Sequence, residues 1–169
     1  EDIYNTPTKD IDGFNDKLVN AFPGLKNHYC SLGMEGGFIR RLKEGTYTAH
    51  VIEHLILELQ SMTGYDVYFG RTRLLKEPSI YYIVYEYMNE KLGIECGRAS
   101  VNIIDSFIRG KEVDIAAILN DLKKTAVESE MGPSTRAIYV EAKKRGIPVL
   151  RLGNDSLIQL GYGKYSRLI

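Results

Sequence analysis

The chain has 169 residues, and its 22 lysines and arginines balance 22 aspartates and glutamates, so its formal net charge is zero. Domains that bind nucleic acid usually carry a basic excess or a basic stripe; here basic and acidic residues are interspersed, and we expect no nucleic-acid partner. No apolar run is long enough to cross a membrane and no secretory signal opens the chain. We therefore expect a cytoplasmic protein with no membrane partner, in which Cys30 and Cys96 stay reduced.

Hydrophobic spacing and breaks at glycine and proline predict the secondary structure up to residue 131. In chain order the elements are a helix within IDGFNDKLVNAFPGL, a short helix within SLGMEGGFIRRLKEG, a helix over residues 47–63, strands in YDVYFG and SIYYIVYEY joined by the linker RTRLLKEPS, and helices within NEKLGIECGRASVNIIDSFIRG and VDIAAILNDLKKTAVESE. After residue 131 the pattern changes to a helix that starts at GPST, a strand in IPVLRL and a strand-like SLIQLGYGKYSRLI.

These elements predict an α+β fold in two parts. Residues 1–131 form helices packed on a small, mainly antiparallel sheet, and residues 132–169 form a short α-β-β segment. The length is enough for one good core, or for one domain with part of another.

The helix over residues 47–63 contains the stretch HVIEH. At 100° per residue, its aliphatic side chains cluster on one arc, and His50, Glu53 and His54 lie on the other side. We therefore predict that these three side chains face away from the core. Histidines at i and i+4 can bind one zinc ion, and H-x-x-E-H is the motif of inverted zinc peptidases. Glu53 could then accept a proton from the attacking water and pass it to a leaving amine.

A third metal ligand has to come from another element. Glu58 lies too far along the helix from His50 and better suits a hydrogen bond to a ligating histidine. Glu86, in the strand beside the helix, is the predicted third ligand. The alternative is an ordinary solvated helix face, although such faces usually mix charges and no lysine or arginine occurs between Lys43 and Arg71.

Two other groups are candidates for function. Arg71 and Arg73 could bind carboxylates in a bidentate manner, and the alternative is a pair of exposed arginines at a strand end. Cys30, close to His28, could take part in metal or nucleophile chemistry, but packing is the favoured interpretation, and Cys96 is predicted to lie in the core.

Several stretches together resemble one family. GGFIRRLKEGTYTAHVIEHLILELQ, YFGRTR, YYIVYEY, GPSTRAIYVEAKKRGIPVLRL and SLIQLGYGKYSRLI, in this order and spacing, resemble the N-terminal region of bacterial cyanophycin synthetases. The resemblance implies that residues 1–131 are the N-terminal domain and that residues 132–169 begin an ATP-grasp region that is truncated here.

The resemblance also implies a function. Members of the family are ligases that polymerise aspartate and arginine into cyanophycin, multi-arginyl-poly-aspartate, with ATP and Mg²⁺ at ATP-grasp and Mur-ligase-like domains beyond this fragment. The N-terminal domain would bind the polymer and hydrolyse it into primers, with zinc on His50 and His54 and Glu53 as the base. The alternatives are a non-catalytic anchoring and scaffold domain, and a stand-alone metallopeptidase. The full-length protein is expected to be a homo-oligomer.

Overall fold

The computed structural model of the chain describes residues 6–30, 33–76, 80–153 and 156–169, and within them the fold is α+β, as predicted. The chain divides into two compact units, residues 1–126 and residues 127–169. The helices are α1 (Phe14–Ala21), α2 (Gly37–Glu44), α3 (Thr48–Met62), α4 (Glu90–Ile108), α5 (Ile115–Glu128) and α6 (Pro133–Lys144), and the strands are β1 (Gly70–Lys76), β2 (Ile80–Tyr85), β3 (Val149–Arg151), β4 (Ile158–Leu160) and β5 (Arg167–Leu168). In the described ranges, no helix has the length and apolarity that a membrane span requires.

Helix α3 lies at the centre of the first unit. It packs against α4 and against the antiparallel ribbon of β1 and β2. Its aliphatic arc joins aromatic and aliphatic side chains of the other helices in one buried cluster, which includes Phe14, Leu18, Phe22, Phe38, Val51, Leu55, Leu59, Leu92, Cys96, Ile103 and Ile104. The prediction that Cys96 lies in the core is confirmed, since its side chain is fully buried.

The alternative that the polar side of α3 is an ordinary solvated face is wrong. Glu53, His54 and Glu58 are all buried, as is Gln60. The polar side of α3 is buried because the β1–β2 ribbon packs against the helix. The ribbon follows α3 in the chain, so the periodicity of the helix alone could not predict this contact. Burying such groups is costly unless they find hydrogen-bond partners. Glu53, His54 and Glu58 each have a side-chain partner, and Gln60 Nε2 donates to the carbonyl of Glu86 at 3.0 Å.

The first predicted strand is displaced along the chain. The strand is β1, which takes up most of the predicted linker RTRLLKEPS, whereas residues 65–69 of YDVYFG precede it as an irregular segment. In the antiparallel register, Arg71 pairs with Val84 and Arg73 pairs with Tyr82, so both arginines lie within the strand rather than after it. Tyr65 and Val67 belong to residue types that are common in strands. Here both are buried and pack in the core instead of pairing with another strand. Residues 77–79 of the linker lie outside the described residues.

The second unit contains the predicted short α-β-β segment, with one difference. The stretch predicted as a single strand forms two strands, β4 and β5, and the sheet order is β3-β4-β5 with antiparallel pairing throughout. The chain turns between them at Gly161, whose φ of 74° is a conformation that glycine adopts without strain. Ile158 of β4 is fully buried in this unit. Assignment of residues 132–169 to an ATP-grasp region stays a prediction.

Candidate metal centre and cleft

Two histidines of α3 and a cysteine from a preceding segment come together in the first unit. His50 and His54 lie one turn apart on α3, and Cys30 follows the short 3₁₀ helix Pro23–Asn27. Cys30 Sγ is 3.3 Å from His50 Nε2. One ligand atom from each of the three residues lies within 4.8 Å of the others. Two imidazoles and a thiol are a donor set that suits zinc.

A chain of hydrogen bonds orients His54. His28 Nε2 is 3.0 Å from the Glu58 carboxylate, and His28 Nδ1 is 3.1 Å from His54 Nδ1. A carboxylate only accepts hydrogen bonds, so His28 carries a proton on Nε2. When this is the one proton on the His28 ring, His54 donates from Nδ1 and keeps the lone pair on Nε2. The Glu58–His28 pair thus leaves His54 in the tautomer that can bind a metal through Nε2.

Packing and burial keep both helix histidines neutral. The His54 ring stacks on Phe38 with centroids 4.1 Å apart. Burial, followed by electrostatic interaction with the neighbouring imidazoles of His50 and His28, lowers the pKa of His54 to about 2. Burial, followed by the charge of Arg41, lowers the pKa of His50 to about 4. Neutral imidazole is the form that binds metal ions.

Glu53 is held against β1 at the wall of the same site. Its carboxylate accepts a hydrogen bond from the Thr72 hydroxyl at 2.5 Å. A Cβ at position 70 would come within 2.7 Å of the Glu53 side chain, so the strand can approach this closely because residue 70 is glycine. Burial raises the pKa of Glu53, while hydrogen bonds from Thr72 and the charge of Arg71 oppose that rise. A raised pKa brings a carboxylate closer to the range in which a general base works near neutral pH.

An open cleft of about 650 Å³ lies over these groups. Both predicted arginines, Arg71 and Arg73, line it and are exposed. The remaining wall is rich in aromatic side chains, namely Tyr29, Tyr47, Tyr68, Phe69 and Tyr81. The cleft therefore offers guanidinium groups for anions and aromatic faces for cations or planar groups.

Glu86 lies elsewhere in the first unit. Its carboxylate accepts hydrogen bonds from the backbone amides of Tyr68 and Phe69, at 3.1 and 3.3 Å. Among the described residues, the cluster of potential ligands contains Cys30 and the two α3 histidines, and Glu86 is not part of it. The favoured interpretation of Cys30 as a packing residue is incomplete, because its half-buried thiol contacts His50. The spacing of His28 and Cys30 in HYC was the available sequence signal.

Comparison with known proteins identifies the family. The sequence profile of the cyanophycin synthase-like N-terminal domain matches residues 1–109, which is more than half of the chain. The chain belongs to this family. The cyanophycin synthetase of Trichormus variabilis is 46% identical over 96% of the chain, and that of Crocosphaera subtropica is 41% identical over 100% of it. The matched part is only 18% of the first of these synthetases and 20% of the second, so the chain spans about a fifth of the length of these curated relatives.

Proposed function

We propose that this chain is the polymer-binding N-terminal domain of a cyanophycin synthetase, and that its cleft hydrolyses cyanophycin at a zinc site to produce primers. The observation that supports this most is the placement of His50, Glu53 and His54 at one wall of an open cleft. Ligation with ATP and Mg²⁺ would belong to the ATP-grasp and Mur-ligase-like domains of the same polypeptide, outside this chain. The full-length protein is proposed to be a homo-oligomer.

The chemistry of the cleft matches that of the polymer. Each side branch of cyanophycin ends in an arginine, which carries a free carboxylate and a guanidinium group. Arg71 and Arg73 would bind carboxylates, and the exposed ring of Tyr68 would stack on guanidinium groups. Because each branch of the polymer carries both a negative and a positive group, a cleft with guanidinium groups and aromatic rings can bind it although the chain has no net charge.

The proposed reaction is hydrolysis of a backbone amide. When bound, zinc supplies Lewis-acid activation of water and of the scissile carbonyl. Glu53 accepts a proton from the attacking water, whose oxygen forms a bond to the carbonyl carbon. The C–N bond then breaks, and Glu53 passes the proton to the leaving amine, which leaves one carboxyl end and one amine end. Thr72 holds the carboxylate of Glu53 in position through its hydroxyl.

The test is cleavage of cyanophycin by the 169-residue chain and by its Glu53→Gln variant. Glutamine keeps the volume of Glu53 and an oxygen that accepts from Thr72, so the variant is expected to fold and to retain bound zinc. Its cleavage is expected to fall by ~10²-fold or more, as when a general base is removed. Cleavage at the wild-type rate would refute the role of Glu53.

The second candidate function is non-catalytic anchoring of the polymer close to the ligase domains. The exposed arginines and aromatic rings of the cleft favour binding without requiring any reaction. Polymer binding that persists when the chain contains no zinc and produces no shortened polymer, even with added metal, would support anchoring over hydrolysis.

A further inference from the structure

Cys30 occupies the position of a third metal ligand. We propose that Cys30, rather than Glu86, completes the ligand set of this site, so that the metal is bound by one thiolate and two imidazoles. The inference deepens the proposed function, because it names the chemistry of the same site. It concerns metal binding alone, and its test does not depend on hydrolysis.

The observed spacing fits a tetrahedral zinc site. Zinc–sulfur and zinc–nitrogen bonds of about 2.3 and 2.05 Å, at tetrahedral angles, require a sulfur–nitrogen separation of about 3.5 Å. Cys30 Sγ and His50 Nε2 are 3.3 Å apart. The full set of ligand atoms, spread over no more than 4.8 Å, needs only small side-chain movements to close around an ion.

The surroundings explain why the third ligand should be anionic. Two imidazole ligands bring no negative charge to an ion, and the Arg41 side chain lines the same cleft as His50. A dication placed beside a guanidinium group is opposed by repulsion, which the negative charge of a thiolate offsets. Glu86 is not part of this cluster, and its Oε2 accepts hydrogen bonds from the amides of Tyr68 and Phe69.

Three protein ligands leave a fourth position for a reacting group. Catalytic zinc sites have this composition, whereas structural sites have four protein ligands. A fourth coordination position would be open to water or substrate, because the three ligand residues and Glu53 all line the open cleft. His28 Nδ1 lies 3.1 Å from His54 Nδ1, so Nε2 is the nitrogen of His54 that is left to face a metal ion.

The test is a cobalt titration of the metal-free 169-residue chain, followed by absorption spectroscopy. Cobalt(II) takes tetrahedral zinc sites and shows a thiolate-to-cobalt charge-transfer band in the near ultraviolet only when sulfur is bound. We expect this band in the wild type and in the control Glu86→Gln. Cys30→Ser is expected to lose the band and more than about 100-fold in affinity, beyond the usual effect of altering an outer hydrogen-bond partner. Cys30→His is expected to restore cobalt binding without the band.

Cobalt binding without the band in the wild type would overturn the inference, as would no metal binding at all. A band that depends on Cys30, in a chain that does not cleave cyanophycin, would support the ligand assignment and contradict the proposed function.

A second measurement uses only the wild-type chain, so it does not depend on whether a variant folds. Zinc should slow alkylation of Cys30 by N-ethylmaleimide at least tenfold in the wild type. Cys96 is an internal control, because it is fully buried and burial raises its pKa to about 12. Equal alkylation rates of Cys30 with and without zinc would overturn the inference.

Discussion

Gly70→Ala tests whether the close approach of β1 positions Glu53. The added Cβ would lie 2.7 Å from Glu53 Cγ and Oε1, whereas ordinary contact begins at 3.4 Å, so the side chain must move by about 0.7 Å. Overpacking of this kind costs about 1–3 kcal/mol. The displacement also changes the length and angle of the hydrogen bond from Thr72 to the carboxylate, and a shift of about 1 Å at a reacting group can lower a rate by ~10²-fold.

The variant is therefore expected to lose about 1–3 kcal/mol in the free energy of unfolding, measured by urea denaturation, and ~10²-fold in cleavage of cyanophycin. Bound zinc should stay at the wild-type level, because the ligands are untouched. Gly132→Ala is the control, since its Cβ would meet nothing closer than Ser156 Oγ at 3.4 Å. A Gly70→Ala variant with wild-type stability and wild-type cleavage would refute the positioning argument.

Three further predictions follow from the site. The pKa of His50 falls from 6.5 unfolded to about 4 folded, so the metal-free chain should be most stable above pH 6.5 and lose up to about 3 kcal/mol from this group as the pH drops to 4; a flat urea midpoint across this window would contradict the burial of the imidazole. Glu58→Met, which keeps much of the side-chain volume but removes the acceptor for His28 Nε2, should weaken zinc binding by about 10–100-fold in competition with a chelator, and unchanged affinity would refute the role of this hydrogen-bond chain. Replacing Arg71 and Arg73 together by alanine should weaken cyanophycin binding by about tenfold, mainly at low salt, whereas Arg98→Ala on α4, outside the cleft, should bind as the wild type does.

The hydrophobic periodicity of the sequence was enough to predict much of the fold and part of the candidate site. Helical spacing of four residues was enough to predict that His50 and His54 share a face of α3, with Glu53 beside them. The α+β class also followed from the sequence, because helix breaks and aromatic strands are local signals.

Tertiary packing decided the remainder. The burial of Glu53 depends on the β1–β2 ribbon, which no property of α3 encodes. The start of β1 at Gly70, rather than within YDVYFG, follows from pairing register and from the burial of Tyr65. The contact between Cys30 and His50 joins residues 20 positions apart, so spacing along one element could not predict it.

The most direct test of the account is zinc content measured together with cleavage. The 169-residue chain, prepared without a histidine tag, would be analysed for bound zinc by elemental analysis and then incubated with cyanophycin before and after chelation. The account predicts about one zinc per chain and shortened polymer that disappears on chelation, as three protein ligands with one open position imply. A chain that binds no zinc and leaves the polymer intact, even with added metal, would contradict it.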